Sequence, residues 1–220
     1  MVTLVTKVQQ PNFECIVIGV SAGGMAALPK VLAPLPPDFL IPVVVVQHMS
    51  PDSNKDFLVQ YLDERLSLKV QEACEKEPVA TGCVYIAPAN YHLLMERDQT
   101  FSLSVDARLN YSRPSIDVLF ESAADAYGTT LVGVVLTGAS ADGAKGVKAI
   151  KERGGLVIAQ DPKTAEAVIM PQAAIATGQV DHILALEKIG HFLQMLPAGQ
   201  ACRSENKPDQ RGEKANEAEN

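Results

Sequence analysis

Serine, histidine and aspartate each stand in this chain where an apolar run stops, and together those residue types have the chemistry of a covalent hydrolase. Ser21 lies in Gly19-Val20-Ser21-Ala22-Gly23-Gly24, directly after the apolar run Cys15 to Val20. Gly-x-Ser-x-Gly at such a junction reads as a nucleophile elbow. The sharp turn exposes the serine and aims free helix N–H groups at a developing oxyanion. The same glycines could serve a dinucleotide-type turn that cradles phosphate, so the motif alone leaves both readings open. His48 closes Ile41-Pro42-Val43-Val44-Val45-Val46-Gln47-His48. Asp142 follows the run Leu131 to Leu136, and Asp161 follows Leu156 to Ala159.

A serine nucleophile needs a base, and the base needs a carboxylate to hold its tautomer and answer its charge. Ser21 and His48 supply the first two, and Asp142 or Asp161 the third. Each also has a structural reading. A histidine at a strand end is often only a satisfied polar group. Asp142 could cap the helix that begins at Gly143, and Asp161 before Pro162 could be a turn residue. Pattern alone prefers Asp142 only weakly. His92 opens a hairpin strand, His182 precedes its strand at the wrong sheet edge, and His191 rides a helix. These three, and Ser140 in a loop, read as structural.

The elements that must position these residues alternate. A helix is expected after Ser21 to about Leu35, stopped by Pro36-Pro37. The four valines before His48 show no alternation, the mark of a strand covered on both faces. Phe57, Leu58, Tyr61, Leu62 and Leu66 form one helical stripe. Val84 to Ala87 reads as a strand. Tyr91 to Met95 and Phe101 to Val105 flank a polar tip as a hairpin. A helix capped by Ser115, with Ile116, Leu119, Phe120 and Ala123 inward, ends at Gly128. After Leu131 to Leu136, a helix runs to Arg153, then come the strand Leu156 to Ala159 and a short helix near Pro171 to Thr177. The strand Ile183 to Leu186 and a helix Glu187 to Leu196 complete the series. This is an α/β chain with a doubly wound, mostly parallel sheet in three layers and a small hairpin. In such a sheet ligands bind outside the carboxyl ends of the strands, where Ser21, His48, Asp142 and Asp161 all fall.

The 220 residues are 47% hydrophobic and 20% charged, as expected of one domain with a sizeable core. Residues 1–13 read as a short lead-in, 14–197 as the domain and 198–220 as a disordered polar tail. No run reaches the roughly 18–20 apolar residues of a membrane span, and Met1 to Asn12 lacks a signal-peptide core. Cys15, Cys74, Cys83 and Cys202 show no metal-ligand spacing and suit the reducing cytoplasm. A net charge of −7 without a basic stripe argues against nucleic acid as a partner.

Six ordered blocks carry a resemblance: Gly19 to Gly24, Gln47-His48-Met49, Tyr85-Ile86-Ala87-Pro88, Arg113 to Phe120, Leu136 to Ala144, and Ile158-Ala159-Gln160-Asp161-Pro162. In that order they resemble the catalytic domain of the chemoreceptor protein-glutamate methylesterases, the CheB type, over about residues 14–196. The resemblance implies a triad of Ser21, His48 and Asp142. It implies hydrolysis of glutamate methyl esters on the cytoplasmic helical domain of methyl-accepting chemotaxis receptors, together with glutamine deamidation. No metal or organic cofactor is implied, and from its place at the helix start the Ala22 N–H is expected to be one oxyanion donor. The chain has Gly138-Ala139-Ser140 where the family tends to Gly-Met-Gly. Family members usually carry an N-terminal receiver domain, whereas about a dozen residues precede the first strand here. The expectation is an enzyme active without a phosphodonor, with control by a separate response-regulator protein left open. Two rival readings stand beside it, a non-catalytic nucleotide- or phosphate-binding module and an esterase acting on another protein.

Overall fold

The computed structural model describes residues 12–49 and 55–199. The expectations for residues 1–11, the loop through Ser50 and Asp52, and the tail from residue 200 lie outside these. Seven strands form one sheet: β1 (Cys15–Val20), β2 (Val43–Gln47), β3 (Lys69–Glu72), β4 (Cys83–Ile86), β7 (Leu131–Val135), β8 (Leu156–Gln160) and β9 (His182–Leu184). Between β4 and β7 in the chain, β5 (His92–Met95) and β6 (Phe101–Ser104) make the separate antiparallel hairpin. The large sheet has the order β3-β4-β2-β1-β7-β8-β9, with every neighbouring pair parallel.

Both faces are covered, which is why the central strands read as unbroken apolar runs. Ile16, Ile18 and Val20 point to one side. They meet α1 (Gly24–Leu32), α2 (Lys55–Asp63) and α6 (Leu186–Gln194) through Leu28, Val31, Leu58, Leu62, Ile189 and Leu193. Cys15 and Val17 point to the other side. There α3 (Ile116–Tyr127), α4 (Ala144–Glu152), α5 (Ile169–Ala176) and the hairpin contribute Phe120, Val147, Ile150, Ala174, Leu93 and Phe101. The chain winds outward from β1 through β2 to β4 and β3, then returns to build β7, β8 and β9 on the other side. The end of β1 is therefore the topological switch point, where α/β sheets open a crevice.

Departures from the sequence reading have local causes. Helix α1 stops at Leu32, short of Leu35, because Pro34 has no N–H to continue it. Phe57 on α2 is 54% exposed, so Leu58 and Leu62 anchor that helix, with Tyr61 and Leu66 packed half-buried beside them. The strand β3 was not expected. At a sheet edge one buried valine, Val70, suffices, and a single apolar residue leaves no period. Strand β9 begins at His182, so that ring starts the strand and packs 4.8 Å from the Phe192 ring. The first and last described segments meet: the Phe13 N–H donates to Pro197 O and the Gly199 N–H to Phe13 O, both at 2.8 Å.

Ile116, fully buried at the start of α3, joins this frame to the strand ends. A Cβ on Gly19 would lie 2.4 Å from its Cγ2, and one on Gly143 2.9 Å. The two glycines thus close around one isoleucine. Ile116→Ala is expected to cost about 2–5 kcal/mol of stability, read as a lowered urea midpoint.

Candidate active site

The turn after β1 takes its shape from two glycines. Gly23 adopts φ +83°, the left-handed region, and a Cβ on Gly24 would lie 1.8 Å from Gln47 Oε1. The Ser21 N–H donates to Thr137 O at 3.0 Å, and Thr137 Oγ1 donates to Ala22 O at 2.8 Å. The N–H groups of Ala22 and Gly23, which precede α1, have no acceptor among the described residues. They point the positive end of a nine-residue helix at the space beside Ser21.

Gln47, the last residue of β2, clamps this turn to the next strand end. Its Nε2 donates to Ser21 O and to His48 O, each at 2.9 Å. The His48 N–H donates to Val20 O at 3.0 Å. Gln160 acts similarly at the end of β8: its Oε1 accepts from the Thr137 N–H at 2.8 Å, and its Nε2 donates to Thr164 O.

His48 Nε2 lies 2.8 Å from Asp142 Oδ2, with the two side chains 12% and 0% exposed. The carboxylate cannot donate, so Nε2 carries the proton and Nδ1 keeps its lone pair. Asp142 takes further hydrogen bonds from Ser115 Oγ at 2.9 Å, the Ile116 N–H at 2.8 Å and the Asp117 N–H at 3.1 Å. The aspartate does cap a helix, but the helix is α3 and not the one beginning at Gly143. Ser115, expected to cap α3 with its own side chain, gives its hydroxyl to Asp142 and makes no capping bond. Burial alone would raise the Asp142 carboxyl. The His48 contact and the two α3 N–H groups outweigh it and bring the group down to about 2.

The three strand ends that carry Ser21, His48 and Asp142 are neighbours, β1 between β2 and β7. His48 and Asp142 are in contact, whereas no hydrogen bond joins Ser21 to His48 among the described residues. The hydroxyl facing His48 Nδ1, at 3.3 Å, is that of Ser112. Asp161 lies away from His48: its Oδ1 accepts from the Lys163 N–H at 3.0 Å and caps a short turn. His92 is buried, its Nδ1 accepting from the Ser115 N–H at 3.2 Å and its Nε2 facing Ala107 O. Ser140 Oγ accepts from the Asp142 N–H at 3.3 Å.

Beside His48 opens a shallow pocket lined by Met49, Arg108, Tyr111, Ser112, Arg113 and Pro114. Arg113 is held to its own loop through the carbonyls of Val105 and Asp106. Sequence reasoning passed over Ser112 and Asp117. Nothing in the residue pattern marks a loop serine that swings to a distant histidine. An aspartate in a first helical turn reads as an ordinary partner of the helix dipole.

Acid should expose the Asp142 contact. A carboxyl held below its ordinary value contributes stability above the ordinary range, which is lost as pH falls through the folded value. Asp117 has the opposite sign. Burial, opposed by the Gly146 N–H and reinforced by the Asp142 charge, pushes it up to about 6, so its ionisation lowers stability as pH rises from about 4 toward 6. The wild-type urea midpoint should fall on acidification below about pH 4, with a clearly shallower slope in Asp142→Asn. Equal slopes would place no special weight on Asp142.

Comparison with known proteins bears on this site. The family model described as CheB methylesterase matches residues 16–193. A relative from Leptospira interrogans is 53% identical over 185 residues, covering 84% of this chain and 95% of that protein. One from Moorella thermoacetica, named protein-glutamate methylesterase/protein-glutamine glutaminase, is 40% identical over 195 residues, covering 87% of this chain and 46% of its own length. The crystal structure of the Thermotoga maritima CheB methylesterase catalytic domain superposes with a TM-score of 0.79 at 38% identity, covering 84% of this chain and 98% of that one. A match across so much of the chain, on the fold that puts Ser21, His48 and Asp142 on adjacent strand ends, means that this chain belongs to the CheB methylesterase family.

Proposed function

We propose that Ser21, His48 and Asp142 hydrolyse glutamate methyl esters on the cytoplasmic helical domain of chemotaxis receptors, and deamidate glutamines there by the same chemistry. The observation that carries this reading is the 2.8 Å contact between His48 Nε2 and Asp142 Oδ2, made beside the turn that bears Ser21. Ser21 Oγ attacks the ester carbonyl carbon and passes its proton to His48 Nδ1. The tetrahedral oxyanion is met by the Ala22 N–H at the start of α1. Asp142 stabilises the imidazolium, which then protonates the departing methoxide, and methanol leaves. Water, deprotonated by His48, cleaves the acyl-serine and restores the enzyme. With glutamine the leaving group is ammonia. No step calls for a metal or organic cofactor.

The site works in the cytoplasm on this reading, and no helix among the described residues is long and apolar enough to cross a membrane. The rival phosphate-binding reading leaves Asp142 as a cap for α3 and gives the His48 imidazole no role. Their buried pairing therefore favours the hydrolase.

One contact sets a second serine against the first, because Ser112 Oγ is the hydroxyl at His48 Nδ1. Ser112 precedes α3, whose Ile116 and Asp117 N–H groups are already taken by Asp142, so it lacks the free donors that stand beside Ser21. Methanol release from methylated receptor should therefore fall to background in Ser21→Ala and His48→Ala, while Ser112→Ala stays within about tenfold of wild type. Asp142→Asn should lose on the order of 10⁴-fold in kcat, as in serine triads generally. Background turnover in Ser112→Ala with Ser21→Ala active would exchange the two roles.

A further inference from the structure

The block Arg113 to Phe120 recurs in the resemblance, yet the chemistry uses only its start, where α3 receives the Asp142 carboxylate. Two residues on, Asp117 makes the return contact. Its Oδ1 accepts from the Gly143 N–H and from the Gly146 N–H, each at 2.9 Å. These are the first free donors of α4, which has no side-chain cap of its own. Each aspartate thus sits on the N-terminus of the helix that begins beside the other, Asp142 on α3 and Asp117 on α4. Asn110 Nδ2 lies 3.4 Å from a carboxylate oxygen of each.

We infer that Asp117 is a positioning residue for the ester hydrolysis: by holding the Gly143 and Gly146 N–H groups, it fixes the turn that presents Asp142 to His48. Gly143 takes φ +99°, a conformation open to glycine, and its surroundings select it there. Ile116 fills the space beside it, and Asp117 is the group that bonds its N–H. Without that acceptor the turn and the head of α4 lose their tether, and Asp142 is free to drift from the imidazole. A misplacement of about 1 Å at such a contact is enough to cost a large factor in rate.

The charged and polar groups facing Asp117 are few. They are the Asp142 carboxylate after β7, Asn110 from the preceding loop and backbone N–H groups of α4, with no ion pair to Asp117 among the described residues. Burial and the neighbouring Asp142 charge favour its neutral form. A neutral acid still accepts from both N–H groups, so the acceptor, rather than the charge, does the positioning. That separates two variants. Asp117→Ala removes the acceptor, and Asp117→Asn keeps it.

The inference rests on the hydrolase reading for its kinetic arm only. Its direct readout is the low-field proton resonance of His48 Nε2–H in the full-length protein, which reports the Asp142 contact whether or not a receptor is turned over. The resonance should persist in Asp117→Asn and be lost or move upfield in Asp117→Ala. Methanol release should stay within about threefold of wild type in Asp117→Asn. In Asp117→Ala, kcat should fall about tenfold or more, with KM within about twofold. A folded Asp117→Ala protein with the wild-type resonance overturns the inference, as does loss of the resonance in Asp117→Asn. Should Asp117→Ala fail to fold, Asp117→Ser, with its hydroxyl drawn back from the two N–H groups, takes its place under the same criteria. Inactivity of every variant and of wild type, with the resonance pattern as stated, would count against the hydrolase reading and leave the positioning role standing.

Discussion

A carboxylate with no solvent exposure is tolerated only where its charge is answered, and the site depends on how Asp142 is answered. His48 Nε2, Ser115 Oγ and the N–H groups of Ile116 and Asp117 converge on its two oxygens within 3.1 Å. Bonds from N–H and O–H groups to an ionised acceptor are among the stronger ones in proteins, and two of these come from the positive end of a helix. Leaving such a charge with fewer partners costs about 3–5 kcal/mol. The interaction that orients His48 is therefore also one that seats α3 on the strand ends.

The rest of the site follows from that seat and from the winding of the sheet. With β1 at the switch point, the residues after β2, β1 and β7 come to adjacent positions without long loops. Gln47 and Gln160 tie those ends together through backbone carbonyls and N–H groups, so that the crevice floor is a set of cross-linked turns. Ile116, packed against two glycines, carries the alignment from the sheet into α3. Ser21 and His48 stand at strand ends, and Tyr111, 96% exposed, lines the pocket beside His48.

Much of this was legible in the residues because chemistry and burial change at the same points. Ser21 and His48 stand at the ends of apolar runs and Asp142 follows one after a short loop, and a run without alternation announces a parallel strand covered on both faces. The class of fold, the strand ends and the convergence of the candidates all come from that one signal. What escaped has a common cause: it consists of contacts between segments far apart in the chain. Capping rules look a few residues along, so Asp142 was weighed as a cap for the helix after it, when the helix it caps begins 26 residues before it. Asp117 was invisible for the same reason, and Ser112 likewise. Strand β3 was missed because an edge strand with one buried valine carries no period.

The central claim is that Ser21 is the nucleophile and His48 its base. Its most direct test is covalent labelling of the full-length protein with a fluorophosphonate, followed by peptide mapping of the modified residue. The account predicts a single label on Ser21 in wild type and in Ser112→Ala, and none in His48→Ala. A label on Ser112, or undiminished labelling of Ser21 in His48→Ala, would contradict it.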